Sequence, residues 1–315
     1  MLNFKIFLKN LKDKIDLKKK KLFIAVSGGV DSLVLLDLFF RIKDLKIEVL
    51  HCNFKLRGAE SEEAENLIKT ICKKHKIILH TKSFNLRKKS SQQIFARKLR
   101  YLWFKKMLKT NYFNYIALGH HLNDSIETIF LNLIRGTGIK GIKGIGFKKK
   151  YLIRPLLDFT KTDILSYAKN NKISWIEDSS NINEKFLRNK IRKILNKLLN
   201  NEAYLGIKTS VQILKDEYLM INNHLNLIKK YIFLKKNRTE KILSVKNLLN
   251  LNPIKSYLYK ILKYYYFNNI RTLIKIIISK SGKKINSKKS YFSIKKKKKH
   301  LILYRNKKYE QKNFS

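Results

Sequence analysis

Along roughly the first 175 residues, short apolar runs alternate with longer stretches that are apolar on one side only. The runs at 22–26, 47–50, 77–79 and 115–118 are too short for helices and lack polar alternation, a pattern that predicts strands covered on both faces. Between them, 33–40, 59–75, 92–108 and 125–134 predict helices. In the last of these, Ile126, Ile129, Phe130, Leu133 and Ile134 form a single apolar stripe. Strand–helix alternation of this kind predicts an α/β fold, a parallel sheet joined by right-handed crossovers. Ligands of such sheets bind beyond the C-terminal strand ends, so residues directly after the strands are the candidates for chemistry.

Beyond about residue 200 the pattern changes. Val211, Leu214, Tyr218, Ile221, Leu225 and Ile228 fall at helical spacing, as do Ile254, Leu258, Ile261 and Tyr265, while 291–294 and 301–304 read as strands. This predicts two domains: a catalytic α/β domain over 1–200, and a smaller, mainly helical domain over 201–315 with a short strand pair near its end. The lysine run 295–299 suits either a grip on phosphate or a solvated turn between those strands.

Charge adds a partner to this outline. The chain of 315 residues carries 71 Lys and Arg against 22 Asp and Glu, a net charge of +49. Such a surface attracts polyanions, nucleic acid first among them. The abundance of Lys, Asn, Ile, Phe and Tyr is also the profile of an A+T-rich genome, which accounts for part of the excess. Hydrophobic residues make up 44%, enough for a packed core. No run of about 18 uncharged apolar residues predicts a membrane span, and the opening residues lack the apolar core of a secretory signal. Cys52 and Cys72 form no C-x-x-C pair, which suits a reducing cytoplasm and argues against a disulfide scaffold or a cysteine-rich zinc site.

The most informative segment is Ser27, Gly28, Gly29, Val30, Asp31 and Ser32, directly after a predicted strand and before a predicted helix. Glycines there let the backbone turn sharply and bring N–H groups to an anion. The helix start adds unpaired N–H groups and the positive end of its dipole. The Ser27 and Ser32 hydroxyls can donate to phosphate, and Asp31 can hold a Mg²⁺ that bridges phosphate oxygens. The bland alternative is an ordinary strand–turn–helix joint. The G-x-x-x-x-G-K-[ST] loop is absent, so a Walker-type NTPase is not indicated.

This string resembles the signature of the PP-loop ATP pyrophosphatase superfamily, whose members cleave ATP between the α and β phosphates, adenylate an oxygen, and displace AMP with a nucleophile. Six further segments resemble, in order, one branch of it, the tRNA(Ile)-lysidine synthetases. His51, Cys52, Asn53, Phe54, Lys55, Leu56 and Arg57 look like H-x-N-H-x-L-R, with Phe54 in place of the second histidine. Ala96, Arg97, Arg100 and Tyr101 match A-R-x-x-R-Y. Gly119, His120, His121, Asp124, Glu127 and Thr128 fit G-H-H-x-D-D-x-x-E-T, with Asn123 replacing the first aspartate. Arg135, Gly136, Thr137 and Gly138 fit a further segment, as do Arg154, Pro155, Leu156 and Leu157. Asp178, Ser180, Asn181, Phe186, Arg188, Asn189 and Arg192 complete the set. The resemblance is strong over about residues 20–195 and extends weakly to the C-terminal module, which resembles that family's tRNA-binding appendage.

Each segment also has a reading of its own. Asp124 and Glu127, three apart, are neighbours at a helix start; they suit the ammonium groups of free lysine or a shared metal, or else complement the helix dipole behind an Asn123 N-cap. His120, after a strand, suits phosphate contact or proton transfer, or a structural role. Arg97 and Arg100 suit the phosphates or plain surface. Arg188 and Arg192, four apart, suit ATP or the tRNA backbone, and the glycine-rich stretch 136–146 reads as a loop beside the site or as simple surface.

The resemblance implies ATP-dependent ligation of free L-lysine to C2 of the wobble cytidine in the CAU anticodon of tRNA(Ile). An adenylated cytidine is the implied intermediate, AMP and pyrophosphate the released products, and reading of the isoleucine codon AUA the result. It implies catalytic roles for Asp31, His120, Asp124, Glu127 and Arg192, and ATP binding by Ser27, Gly28, Gly29, Val30, Asp31, Ser32, Arg97 and Arg100. Lysine binding falls to Asp124 and Glu127, tRNA binding to Arg188 and Arg192, and Mg²⁺ to Asp31. That family often forms homodimers. Two rivals stand beside it. A PP-loop tRNA thiolase usually needs paired reactive cysteines, and Cys52 and Cys72 are poorly spaced for that. A catalytically silent RNA-binding protein is suggested by the departures at Phe54 and Asn123 and opposed by the intact Asp31, Asp124 and Glu127.

Overall fold

The computed structural model describes residues 1–56, 58–84, 92–177, 187–237, 239–288 and 291–306. They form two compact units, Met1–Lys215 and Asp216–Ser315.

In the first unit, among the described residues, six strands form one sheet: β1 (Lys21–Ala25), β2 (Lys46–Asn53), β3 (Leu79–Ser83), β4 (Tyr115–Ala117), β5 (Lys148–Lys149) and β6 (Leu152–Ile153). Their order is β3-β2-β1-β4-β6-β5. All neighbours are parallel except β5, which runs antiparallel to β6. The absence of polar alternation in β1 has its cause here: Leu22, Phe23 and Ile24 are all fully buried. Leu22 and Ile24 pack with helices α2 (Val30–Phe40) and α7 (Lys161–Asn170). Phe23 faces the other side, where α4 (Gln92–Thr110) supplies Trp103 and Phe104. Helix α1 (Phe4–Lys12) adds Phe7 edge-on to Phe39. Helix α3 (Ala59–Lys74) follows β2 and buries Ile68.

Helix α5 (Leu122–Ile134) follows β4. Its apolar stripe packs on α8 (Leu187–Leu198) and on the first turn of α9 (Asn201–Ile232), joining Leu122 and Ile126 to Ile191, Leu195 and Tyr204. The short helix α6 (Ile139–Ile142) lies in the glycine-rich stretch, tied back to α5 where Asn132 donates to the Gly141 carbonyl and Ser125 Oγ accepts from Ile145 N–H. Because β1 is flanked by β2 on one side and β4 on the other, the chain direction of the crossovers reverses between β1 and β4. That reversal opens a crevice at their C-terminal ends.

The second unit, taken by itself, has a five-stranded sheet among the described residues, ordered β7 (Phe233–Lys236), β8 (Glu240–Ser244), β11 (His300–Arg305), β10 (Phe292–Lys297) and β9 (Lys284–Asn286), all antiparallel. Helices α10 (Val245–Leu249), α11 (Ile254–Leu262) and α12 (Ile270–Ile278) bury Leu248, Leu258, Leu273 and Ile277 with Leu243, Ile294, Leu301 and Leu303 of the sheet. This unit holds more strand than the terminal pair that the apolar pattern suggests. The lysine run is the end of β10 and its turn: Lys295 and Lys297 are exposed, while Lys296 is buried and donates to the Ile277 carbonyl at the end of α12, 2.5 Å away. No helix among the described residues is long and apolar enough to cross a membrane.

Candidate active site

Two glycines set the loop between β1 and α2. Gly28 has φ +91°, a conformation that side chains rarely adopt, and a Cβ there would meet Ala64 Cβ at 2.8 Å. Gly119, after β4, brings its backbone so close that a Cβ would lie 3.1 Å from the Asp31 carbonyl. Ser32 closes the loop from within: its Oγ donates to the Gly29 carbonyl at 2.8 Å and accepts from Ser27 N–H at 3.1 Å. The Ser32 hydroxyl thus braces the loop, and that of exposed Ser27 faces outward, 3.3 Å from it. His51 braces the strand below, with Nδ1 2.9 Å from the Val26 carbonyl; burial lowers its pKa and keeps the ring neutral.

A cleft of about 210 Å³ opens over this loop, lined by Ser27, Gly29, Asp31, Ser32, Cys52, Arg97, Arg100, Tyr101, Gly119 and His120 among others. Its far wall is cationic. Arg97 lies over the Tyr101 ring at 5.1 Å and Arg100 over the Phe54 ring at 5.3 Å. Arg154, only 6% exposed, donates to the Gly146 carbonyl at 2.9 Å. His120 is held neutral: burial, helped by Arg154, Arg97 and Arg188 against the pull of Asp124, drops its pKa to about 4. Among the described residues its buried Nδ1 has no hydrogen-bond partner.

On the opposite side the first turn of α5 meets α8. The His121 N–H donates to Asp124 Oδ2 at 3.1 Å, so the helix is capped at His121 rather than at Asn123. Asn123 instead turns inward and accepts from Lys161 N–H at 2.9 Å, tying α5 to α7. Ile191 and Leu195 of α8 are buried against α5, which carries Arg188 and Arg192, one turn apart, over Asp124 and Glu127. Arg188 reaches Asp124 at 2.9 Å and Glu127 at 2.7 Å; Arg192 reaches Glu127 at 2.6 and 3.1 Å. Burial would raise the Asp124 pKa, but His121, His120, Arg188 and the His121 N–H outweigh it and bring it to about 2. Asp31 joins the two sides. Its Oδ1 lies 2.5 Å from Lys161 Nζ, and its Oδ2 lies 3.8 Å from His121 Nε2, which is in turn 3.5 Å from Asp124.

The structure therefore brings Ser27, Gly29, Asp31, Ser32, Arg97, Arg100 and His120 to one cleft, with Gly28 shaping the loop and Val30 opening α2 behind it. Asp124, Glu127, Arg188 and Arg192 form an ion-paired cluster beside it, the carboxylates already bonded by the arginines. Asp178, Ser180, Asn181, Phe186 and Arg57 lie outside the described residues. Lys161 and Arg154 were not singled out as site residues by sequence. The Thr160–Asp163 capping box places Lys161 in the first turn of α7 and was a usable signal. Among the described residues no group of three or more His, Cys, Asp or Glu could hold a metal ion. The donors present fit Mg²⁺ only as an ion carried by a nucleotide, which needs one carboxylate besides phosphate oxygens; Asp31, with 31% of its side chain exposed, supplies that.

A crevice at a strand-order reversal, floored by a glycine-shaped loop, defines a class of nucleotide-binding α/β domain. A family model described as a PP-loop domain matches residues 2–199, and the chain belongs to that family. It is 38% identical over 220 residues to the tRNA(Ile)-lysidine synthase of Bacteroides thetaiotaomicron, covering 68% of this chain and 50% of that one. To the tRNA(Ile)-lysidine synthase of Chlorobaculum tepidum it is 36% identical over 198 residues, 60% of each chain. The chain thus spans about half the length of the curated relatives it matches. Among solved structures, the U34-tRNA thiolase NcsA from Methanococcus maripaludis with its 4Fe-4S cluster is similar in fold, with a TM-score of 0.53 at 16% identity over 67% of this chain and 78% of that one.

Proposed function

We propose that this protein is a cytoplasmic tRNA-modifying ligase that uses ATP to join free L-lysine to C2 of the wobble cytidine of a CAU-anticodon tRNA(Ile). The observation that carries this reading is the junction at Asp31, where a phosphate-binding loop with a cationic wall meets a second cluster of paired carboxylates and arginines. The names of its relatives support the same choice.

The loop N–H groups, Ser27, Arg97 and Arg100 bind the triphosphate of ATP, and Lys161 holds Asp31 beside it. Asp31 would hold a Mg²⁺ carried on the nucleotide, which would supply charge neutralisation to the phosphates. The C2 carbonyl oxygen of the cytidine attacks the α-phosphorus, and pyrophosphate leaves. The neutral ε-amine of lysine then attacks C2, AMP leaves with the oxygen, and the nitrogen loses a proton. His120, neutral and with a buried Nδ1 that has no partner among the described residues, accepts the hydrogen bond of that amine. Asp124 and Glu127 receive the α-ammonium of lysine as Arg188 and Arg192 turn to RNA phosphates, so that the buried carboxylates keep a cationic partner. Positioning and preorganised charge provide most of the catalysis. The second unit, rich in lysine, extends the RNA contact, which should be salt-sensitive.

The thiolase alternative finds little support in the cysteines. Burial pushes Cys52 up to about 12 and Cys72 up to about 11, so neither supplies a thiolate near neutral pH.

Product analysis tests the proposal. With ATP, Mg²⁺ and unmodified tRNA(Ile), the protein should release AMP and pyrophosphate, and Asp31→Ala should abolish both. Release of ADP and phosphate, or turnover indifferent to tRNA, would contradict it.

A further inference from the structure

The arginines of this site fall into two sets by what holds them. Arg188 and Arg192 are held by carboxylates, which fix their positions and also cancel their charge. Arg97, Arg100 and Arg154 are held by neutral groups, and among the described residues none is bonded to a carboxylate. Arg100 has the most developed cradle. Its guanidinium lies over the Phe54 ring, and Cys52 lines the same cleft beside it. Cys52 and Phe54 are two apart at the end of an extended strand, so both project to the same side. Asn53, between them, points the other way and donates to Glu65 Oε2 at 2.7 Å, which keeps that carboxylate turned from the cleft. Phe54 is itself seated by Phe84, whose ring lies nearly parallel at 5.1 Å, and the Phe84 N–H donates to the Asn53 carbonyl at 2.8 Å.

An aromatic face attracts a cation without carrying a net charge of its own. A carboxylate in the same place would position Arg100 as well, but the pair would have little field left for an anion in the cleft. The neighbouring Cys52 is neutral too, since burial holds it as the thiol at any pH near neutrality.

From this arrangement we infer that Phe54, seated on Phe84, is a positioning residue that presents Arg100 to the polyphosphate of the nucleotide with its charge unspent. The inference rests on the reading of the cleft as an ATP site. Phe54 touches no reacting atom and acts through Arg100 alone.

The test uses the full chain and two probes, inorganic tripolyphosphate and adenosine, titrated separately by calorimetry. Phe54→Leu should weaken tripolyphosphate binding about three- to tenfold, in line with the loss of a cation–π contact, and leave adenosine unchanged. Phe54→Tyr should restore wild-type affinity. Phe54→Glu, which can hold Arg100 but neutralises it, should weaken tripolyphosphate more than Phe54→Leu does. In an Arg100→Ala background, Phe54→Leu should have no further effect. Equal losses for both probes, or an undiminished effect in the Arg100→Ala background, would make Phe54 a general structural residue and overturn the inference. So would a Phe54→Leu protein with wild-type tripolyphosphate affinity where Arg100→Ala is weakened. If Arg100→Ala itself binds tripolyphosphate normally, the ATP reading of the cleft fails, and the role of Phe54 with it.

Discussion

Lys161 Nζ lies 2.5 Å from Asp31 Oδ1, joining two residues that are 130 positions apart in sequence. The contact ties the first turn of α7 to the first turn of α2 and sets a positive charge at the mouth of the phosphate loop. Both side chains remain about one-third exposed, 35% and 31%, so a substrate can reach them. Lys161→Met should therefore slow AMP formation by about 10²-fold, the usual loss when one preorganised charge donor is removed. Steady-state assays would check this, and a rate within about twofold of wild type would assign the pair to structure alone.

Glu127 is 2% exposed and accepts hydrogen bonds from both Arg188 and Arg192. Removing one member of a buried charge cluster costs about 3–5 kcal/mol, because the remaining charges lose their compensation. Glu127→Leu should lower the thermal midpoint by roughly 10 °C. The triple change Glu127→Leu, Arg188→Met, Arg192→Met should recover much of that loss while remaining inactive. Scanning calorimetry distinguishes the two, and equal midpoints would contradict the account.

The pH dependence of stability has a definite sign. His120 binds its proton with a pKa of about 4 in the folded chain and 6.5 unfolded, so between these values the unfolded state holds more protons. Stability is full above pH 6.5 and falls as pH drops toward 4, by about 2 kcal/mol between pH 7 and 5. Asp124, at about 2 against 3.8, acts in the same direction in a lower window, between pH 3.8 and 2. Urea unfolding at pH 7 and pH 5 should show a smaller difference for His120→Asn than for wild type. Identical differences would contradict the neutral, buried state of this ring.

Gly28 has both a positive φ and a neighbour at Ala64 that leaves no space for a Cβ. Gly28→Ala should cost about 1–3 kcal/mol and abolish triphosphate binding. Adding Ala64→Gly removes the collision and leaves the backbone strain, so the double variant should recover stability only in part. Full recovery would show that φ is unimportant here.

Much of this site was legible in the sequence because its chemistry follows strands. The run 22–26 lacks polar alternation because Leu22, Phe23 and Ile24 are buried on both faces, and the loop after it needed its glycines. The strand expected at 77–79 lies at Leu79–Ser83, where Thr81, Lys82 and Ser83 are exposed on the sheet edge and carry no apolar signal. The antiparallel sheet of the second unit was obscured for a related reason. Strands such as Phe233–Lys236 and Lys284–Asn286 are short and lysine-rich, with few buried positions. The pairing of Arg188 and Arg192 with Asp124 and Glu127 could not be read from spacing. Four-residue spacing puts the arginines on one face, but only the packing of Ile191 and Leu195 against α5 decides what that face meets.

The most direct test of the proposed reaction is transfer of radiolabelled lysine into RNA. Purified protein, ATP, Mg²⁺ and labelled lysine would be incubated with unmodified tRNA(Ile) bearing a CAU anticodon, or with the elongator methionine tRNA that shares it. The account predicts label in acid-precipitable tRNA(Ile) alone, stable to mild alkali and lost with Asp31→Ala. Tight tRNA binding and ATP occupancy without label would contradict it and point to another nucleophile or to a silent RNA-binding protein.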